Sequence, residues 1–246
     1  MSIYNDFASV YDRMQYDIDY PLWINKIEEI ALALKPDARS FLELATGTGT
    51  LAIGLSQKGY LLDALDISEE MLTVAQTKAY EAGVKIKFFH QDMAEFNTKK
   101  KYDCIFCMCD GVNYLVEDED FESAILQMHS HLKEDGVLIF DISSRYKLKE
   151  IIGNHTFAET FDTEAYIWEN AYDETTHMLE FTLTLFKKEK ANYQRYEEFH
   201  SQRAFTVNEI RERVEERFDL IQILDGDHFD AWSEQSHRIC FVLKKK

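Results

Sequence analysis

The sequence predicts an α/β protein: a doubly wound, mostly parallel seven-stranded sheet with an antiparallel last strand, plus a small antiparallel β insertion. Three observations carry that expectation. Apolar runs alternate with helix-period segments from residue 22 to residue 142. A turn bearing Gly47 and Gly49 follows the first apolar run. After Ser144 three strand-like segments succeed one another with only polar turns between them.

Taken in order, Leu22 to Leu34 sets Trp23, Ile27, Ile30, Ala31 and Leu34 on one face of a helix. Ser40–Ala45 reads as the first strand, 50–58 as a helix and Leu61–Asp66 as the second strand. Ser68, followed by acids, is an N-cap signal that opens a helix over 69–82. Ile86–His90 and 102–109 are the third and fourth strands, 121–132 a helix, and 137–142 the fifth strand. In the insertion, 165–172, 178–186 and 193–202 read as strands. There Leu179, Phe181, Leu183 and Leu185 alternate with other residues, the mark of a half-buried antiparallel strand. A helix over 206–217 precedes strands at 218–225 and 238–243, which lack an intervening helix and should pair as a hairpin. Residues 1–144 and 205–246 then make one domain, interrupted by the insertion 145–204.

Composition narrows the function. With 246 residues, 46% of them hydrophobic, the chain can bury one substantial core. A formal charge of −18, from 45 acids against 27 bases, argues against broad binding to nucleic acid or anionic membrane. Cys104, Cys107 and Cys109 crowd one strand and Cys240 stands alone, so a zinc set is missing and no metal is expected. The N-terminus lacks a signal-peptide layout, and no apolar run approaches the roughly 20 residues that span a bilayer. A cytoplasmic protein in a reduced compartment is expected.

The stretch Glu43-Leu44-Ala45-Thr46-Gly47-Thr48-Gly49-Thr50 carries the chemistry. Glycines let a ligand approach the backbone, and the helix that follows aims free N–H groups and a positive dipole end at it. Asp66 ends the second strand, where a nucleotide-binding unit places the acid that holds ribose hydroxyls. Gly47-Thr48-Gly49-Thr50-Leu51-Ala52 also satisfies the dinucleotide pattern G-x-G-x-x-G/A. Glu43 tips the balance, since a carboxylate there repels a pyrophosphate and attracts an ammonium or sulfonium.

The segment resembles motif I of the class I S-adenosylmethionine (SAM) dependent methyltransferases, with Ala45 where the first glycine of that pattern usually falls. The resemblance implies SAM as cofactor and S-adenosylhomocysteine as product. It places Glu43, Ala45, Thr46, Gly47 and Gly49 beneath the methionine moiety and ribose, and Asp66 on the ribose hydroxyls. It sets Ile67 and Met71 over adenine, and gives Asp92 and the Met93 N–H to the adenine edge. Asp110, Gly111 and Asn113 fall where the family presents groups to donor and acceptor. The leading pattern Tyr4-x-x-Phe7-Ala8-x-x-Tyr11-Asp12 is similar to a segment that folds over the SAM site in many small-molecule methyltransferases. Tyr11 is its preferred residue, and Tyr16 adds another aromatic.

Methyl transfer to a small-molecule acceptor is the function so implied. It is an in-line displacement from a neutral thioether leaving group that needs no metal, and needs a base only when the acceptor must lose a proton. Asp110, His90, Tyr11, His155, His177, His200 and His228 are candidates, none singled out. Insertion aromatics Tyr166, Trp168, Tyr172, Phe181 and Tyr196 suit either a pocket wall or a homodimer surface. Arg145, Arg195 and Arg203 suit an acidic acceptor or pairing with nearby glutamates. Two other readings stand beside this one: an NAD-dependent oxidoreductase, and a SAM-binding regulatory protein without turnover.

Overall fold

The protein was described from a computed structural model covering residues 11–13, 15, 18–190 and 192–246. Its first long helix, α1 (Tyr20–Leu34), begins two residues ahead of the apolar pattern because Asp19 caps it, accepting from the Leu22 N–H at 2.9 Å. Five strands and three helices then alternate: β1 (Ser40–Glu43), α2 (Thr50–Gln57), β2 (Leu61–Asp66), α3 (Glu69–Glu81), β3 (Ile86–His90), β4 (Tyr102–Cys107), α4 (Asp118–His131) and β5 (Leu132–Ser143). A 3₁₀ turn, Gly111–Tyr114, follows β4, and a π-helical turn, Lys147–Ile152, follows β5. Strands β6 (Thr156–Thr160), β7 (Glu164–Asp173), β8 (Met178–Glu189) and β9 (Asn192–Arg203) form a separate antiparallel sheet. Helix α5 (Val207–Val214) and strands β10 (Phe218–Asp225) and β11 (Arg238–Lys245) complete the chain.

The large sheet has the order β10-β11-β5-β4-β1-β2-β3. Strands β1 to β5 pair in parallel, while β11 runs antiparallel to both β5 and β10. The expected seven-stranded architecture is therefore present. Its central strands are covered on both faces, so they read as continuous apolar runs. Trp23, Ile27 and Ala31 of α1 and Leu51, Ala52 and Leu55 of α2 pack on one face. Phe121, Ile125 and Met128 of α4 and Ile210 and Val214 of α5 pack on the other. Each of the larger of these side chains contributes about 1.5–3 kcal/mol on burial.

Several boundaries move for local reasons. β1 stops at Glu43 and β4 at Cys107, because Ala45, Cys109 and Asp110 take positive φ and turn the chain out of the sheet. β5 starts at Leu132, opposite Tyr102, and accommodates Asp135 at φ 58° through a register shift. Helix α5 is shorter than its pattern, opened by a reciprocal Thr206–Glu209 capping box. The sequence reading missed β6 and the π-helical turn. β6 is a five-residue edge strand with three of its residues exposed, held by its pairing to β7 rather than by any periodicity of its own.

Candidate functional site

The carboxyl ends of β1, β2, β4 and β5 converge on one edge of the sheet, and the glycine turn lies in the middle of it. Gly49 is the N-cap of α2 in a left-handed conformation (φ 78°) and offers no side chain to the helix. Glu43 does that work from the strand end. Its Oε2 accepts from the Ala52 N–H at 3.1 Å and from the Thr46 hydroxyl at 2.5 Å, so one carboxylate braces the whole turn. Burial pushes the Glu43 carboxyl up to about 8, against the pull of those two bonds.

Asp66 closes the turn from the other side. Its Oδ2 accepts from the Gly47 N–H at 2.7 Å and its Oδ1 from the Ser68 N–H at 2.8 Å. Each oxygen can accept a further bond. Burial raises its carboxyl above the ordinary range. A cleft opens here, lined by Ala45, Asp66, Ile67, Asp92, Met93 and Tyr114, among others. A smaller hollow beyond Ala45 is lined by Tyr11, Tyr20, Glu43, Thr46 and Cys109, among others. Ala45 borders both, so the two hollows adjoin and together form a trough with Glu43 in one part and Asp92 in the other.

Ala45 itself has φ 49°, a left-handed residue that is not glycine. The compensation lies across the trough floor. A Cβ on Gly111 would fall 2.9 Å from the Ala45 methyl and 2.8 Å from Cys107 Sγ, so only glycine fits opposite it. Tyr11 covers the turn, its ring 3.7 Å from where a Gly47 Cβ would stand. Burial raises the Tyr11 hydroxyl well above its usual range. Tyr4, Phe7 and Tyr16 lie outside the described residues. Met71, expected over adenine, is half-buried and is not among the residues that line the cleft. Asp92 lines it while bonding the Ala94 N–H at 2.8 Å.

The expected acceptor-side residues are engaged elsewhere. Asp110 accepts from Arg238 Nη1 at 2.6 Å and from Gln202 Nε2 at 2.7 Å. Burial opposes its ionisation, yet Arg238 and Lys147 hold its carboxyl below the usual range. The same Arg238 nitrogen meets Asp141 Oδ2 at 2.9 Å, and Asp141 Oδ1 accepts the Asp110 N–H. Burial lifts Asp141 to about 6 against that pull. Asn113, wholly buried, donates to the Ser143 and Arg203 carbonyls and accepts the Ser143 N–H. Both residues tie the two sheets together. Asp141 and Arg238 escaped the sequence reading, although an acid inside an apolar strand was a visible signal.

A clamp at the N-terminal segment was also missed. Lys78 Nζ bonds Asp12 at 2.7 Å, Thr50 at 2.8 Å and Thr48 at 3.1 Å, which fastens the segment carrying Tyr11 to α3 and the glycine turn. Arg13 pairs with Glu164 of β7 at 2.6 Å. Of the histidines, His90 bonds the Ile67 carbonyl, His177 the Tyr172 hydroxyl and His228 Asp225, while His200 stands beside Glu198. Among the described residues no cluster of three or more His, Cys, Asp or Glu could hold a metal, and no helix is long and apolar enough to cross a membrane.

Residues 41–136 match a family described as a methyltransferase domain. A provisionally named methyltransferase of Geobacillus sp. (strain WCH70) is 32% identical over 245 residues, spanning 98% of this chain and 99% of its own. The crystal structure of a SAM-dependent methyltransferase from Clostridium acetobutylicum superposes with a TM-score of 0.90 at 31% identity, covering 99% of both chains. Over 139 residues, 55% of this chain and 56% of its own, a Streptomyces venezuelae enzyme is 30% identical. That enzyme is a dTDP-3-amino-3,4,6-trideoxy-alpha-D-glucopyranose N,N-dimethyltransferase. The glycine turn braced by two carboxylates, the sheet order and full-length similarity agree: this chain belongs to the class I SAM-dependent methyltransferases.

Proposed function

We propose that this enzyme methylates a small-molecule acceptor in the space between the carboxyl edge of the large sheet and the four-stranded sheet. The observation that carries the reading is the pair of adjoining hollows that share Ala45, one lined by Glu43 and Tyr11 and the other by Asp66, Asp92 and Tyr114. The residues fit SAM. Asp66 has acceptor capacity for two ribose hydroxyls, Asp92 and the Met93 backbone lie at the adenine end, and Glu43 lies at the ammonium end. Ile67, exposed on the rim, flanks the adenine place, with Gly47, Gly49 and Thr46 beneath the methionine and ribose.

When bound, SAM supplies an electrophilic methyl group. The chain's own contribution is to hold donor and acceptor in a short, dry approach. Tyr11 excludes water over the turn, and Tyr114 and Gln202 close the side facing the second sheet. Asp110, neutralised by Arg238, keeps Gln202 in place. A small acceptor is supported by the strongly acidic chain and by the sugar-modifying activity of the Streptomyces relative.

Calorimetric titration with SAM, S-adenosylhomocysteine and NAD, followed by S-adenosylhomocysteine release over an acceptor panel, tests this. Binding of the first two and turnover on small molecules support it. Turnover confined to nucleic acid or protein substrates would sink the acceptor assignment.

A further inference from the structure

On β9, alternate residues Glu198, His200 and Gln202 face the edge where the trough lies. Gln202 reaches Asp110, and the His200 ring meets Tyr114 edge-on at 5.9 Å. Strand register extends this wall. His200 stands opposite Phe181 and Phe181 opposite Asn170, while Glu198 stands opposite Leu183 and Leu183 opposite Trp168. Opposed residues of antiparallel strands share a face. Phe181 stacks on His200 at 4.7 Å, and Trp168 meets Phe181 edge-on at 5.8 Å. Glu198 Oε2 lies 3.2 Å from His200 Nε2, with the Glu198 side chain 15% exposed. Trp168 Nε1 and Asn170 Oδ1 are buried on this wall and, among the described residues, have no hydrogen-bond partner; one is a donor and one an acceptor.

A carboxylate set among aromatic faces is a cation site, since ring quadrupoles and the carboxylate attract the same charge. We propose that the inner face of the four-stranded sheet is the acceptor subsite, that it takes an amine, and that the Glu198–His200 pair removes the amine's proton. The inference rests on the small-molecule methyltransferase reading and deepens it. An ammonium has no lone pair with which to attack. Its proton passes to the pair, held as an imidazolium against the carboxylate. The freed nitrogen lone pair forms the bond to the methyl carbon, and the carbon–sulfur bond breaks with its electrons staying on sulfur. A neutral thioether and a methylated ammonium result. Among the described residues, the ionisable groups around His200 include Glu198 on its own strand, Tyr114 from the facing turn, and Asp110 behind Gln202; β8 offers Phe181.

The test uses the full chain loaded with S-adenosylhomocysteine for binding and with SAM for turnover. The probes are 3-amino-3-deoxyglucose, its dTDP conjugate, glycine and putrescine, with catechol as the non-amine. At least one amine should bind and be methylated, and catechol should not. His200→Gln should lower kcat on that amine by about 100-fold or more, and Glu198→Gln by a smaller factor, each with SAM affinity within twofold. Turnover by His200→Gln should recover as pH rises and solution supplies the free amine, a response that a structural role would not produce. No amine bound while SAM binds overturns the subsite, as does full turnover by His200→Gln. Failure to bind SAM would instead strike the underlying methyltransferase reading.

Discussion

Where the large sheet meets the trough, Glu43 bonds residues three and nine positions away, and Asp66 bonds residues two and nineteen positions away. The four-stranded sheet reaches the same space through Gln202 and Arg203, whose partners Asp110 and Asn113 lie 92 and 90 residues back in the chain. The cofactor side is thus a property of one strand–turn–helix unit and its neighbour, held mostly by backbone donors. The side that faces the four-stranded sheet exists only once the two sheets have docked, and it is held by the side chains of Asp110, Gln202 and Asn113. Perturbing each side should therefore produce different kinds of damage.

The largest effect should come from the tether between the two sides. Arg238→Met leaves Asp110 and Asp141 buried without their cation, and should cost about 3–5 kcal/mol in urea unfolding. A loss below 1 kcal/mol would show that the docked sheets do not depend on it. Asp66→Ala strikes the cofactor side alone. It should weaken SAM by about 1–3 kcal/mol in calorimetry, and unchanged affinity would remove Asp66 from the ribose role. Gly111→Ala drives a methyl against Ala45 and Cys107 on the trough floor and should destabilise by about 1–3 kcal/mol. Adding Ala45→Gly should return part of that loss, because it removes one of the two contacts and relieves the positive φ at position 45.

Smaller effects sharpen the comparison. With its carboxyl near 8, Glu43 keeps its proton in the free protein below that pH. Because the folded value is raised above the unfolded one, the stability it contributes is complete below about 4.5 and is lost as pH rises through about 8. An ammonium ligand favours the ionised form. SAM binding below pH 8 should therefore release a proton and tighten with pH, by at most about 1.4 kcal/mol per unit, then level off. Calorimetry in buffers of different ionisation enthalpy measures the release, which Glu43→Gln should abolish while weakening SAM. Least of all, Arg13→Gln should cost under about 1 kcal/mol, since Arg13 is half exposed where it pairs with Glu164. A thermal melt checks it.

Much of the parallel half was legible. Strands β2 and β3 fall where apolar patterning and turn residues put them, and β1, α2 and α3 differ by a residue or two at one end. Ser68 is the N-cap expected of it, accepting from the Met71 N–H. The insertion carries three strand patterns where four strands form, because β6 has no apolar alternation of its own and forms by pairing with β7. Asp110 and Asn113 stand out by their place after β4, yet their partners come from β5, β9 and β11. No local spacing identifies Arg238 as the group beside Asp110.

By itself the sequence determined the sheet's alternation, the left-handed glycine turn, and the carboxylates at the ends of β1 and β2. Period, capping and turn chemistry act within a few residues, and the pattern that specifies them is written there. Only the tertiary structure decided which buried charges neutralise one another, that Ala45 and Gly111 share one small space, and that Glu198 and His200 face Tyr114. Those outcomes depend on strand register and on the docking of two sheets, which join residues far apart in the chain through packing that no short window contains.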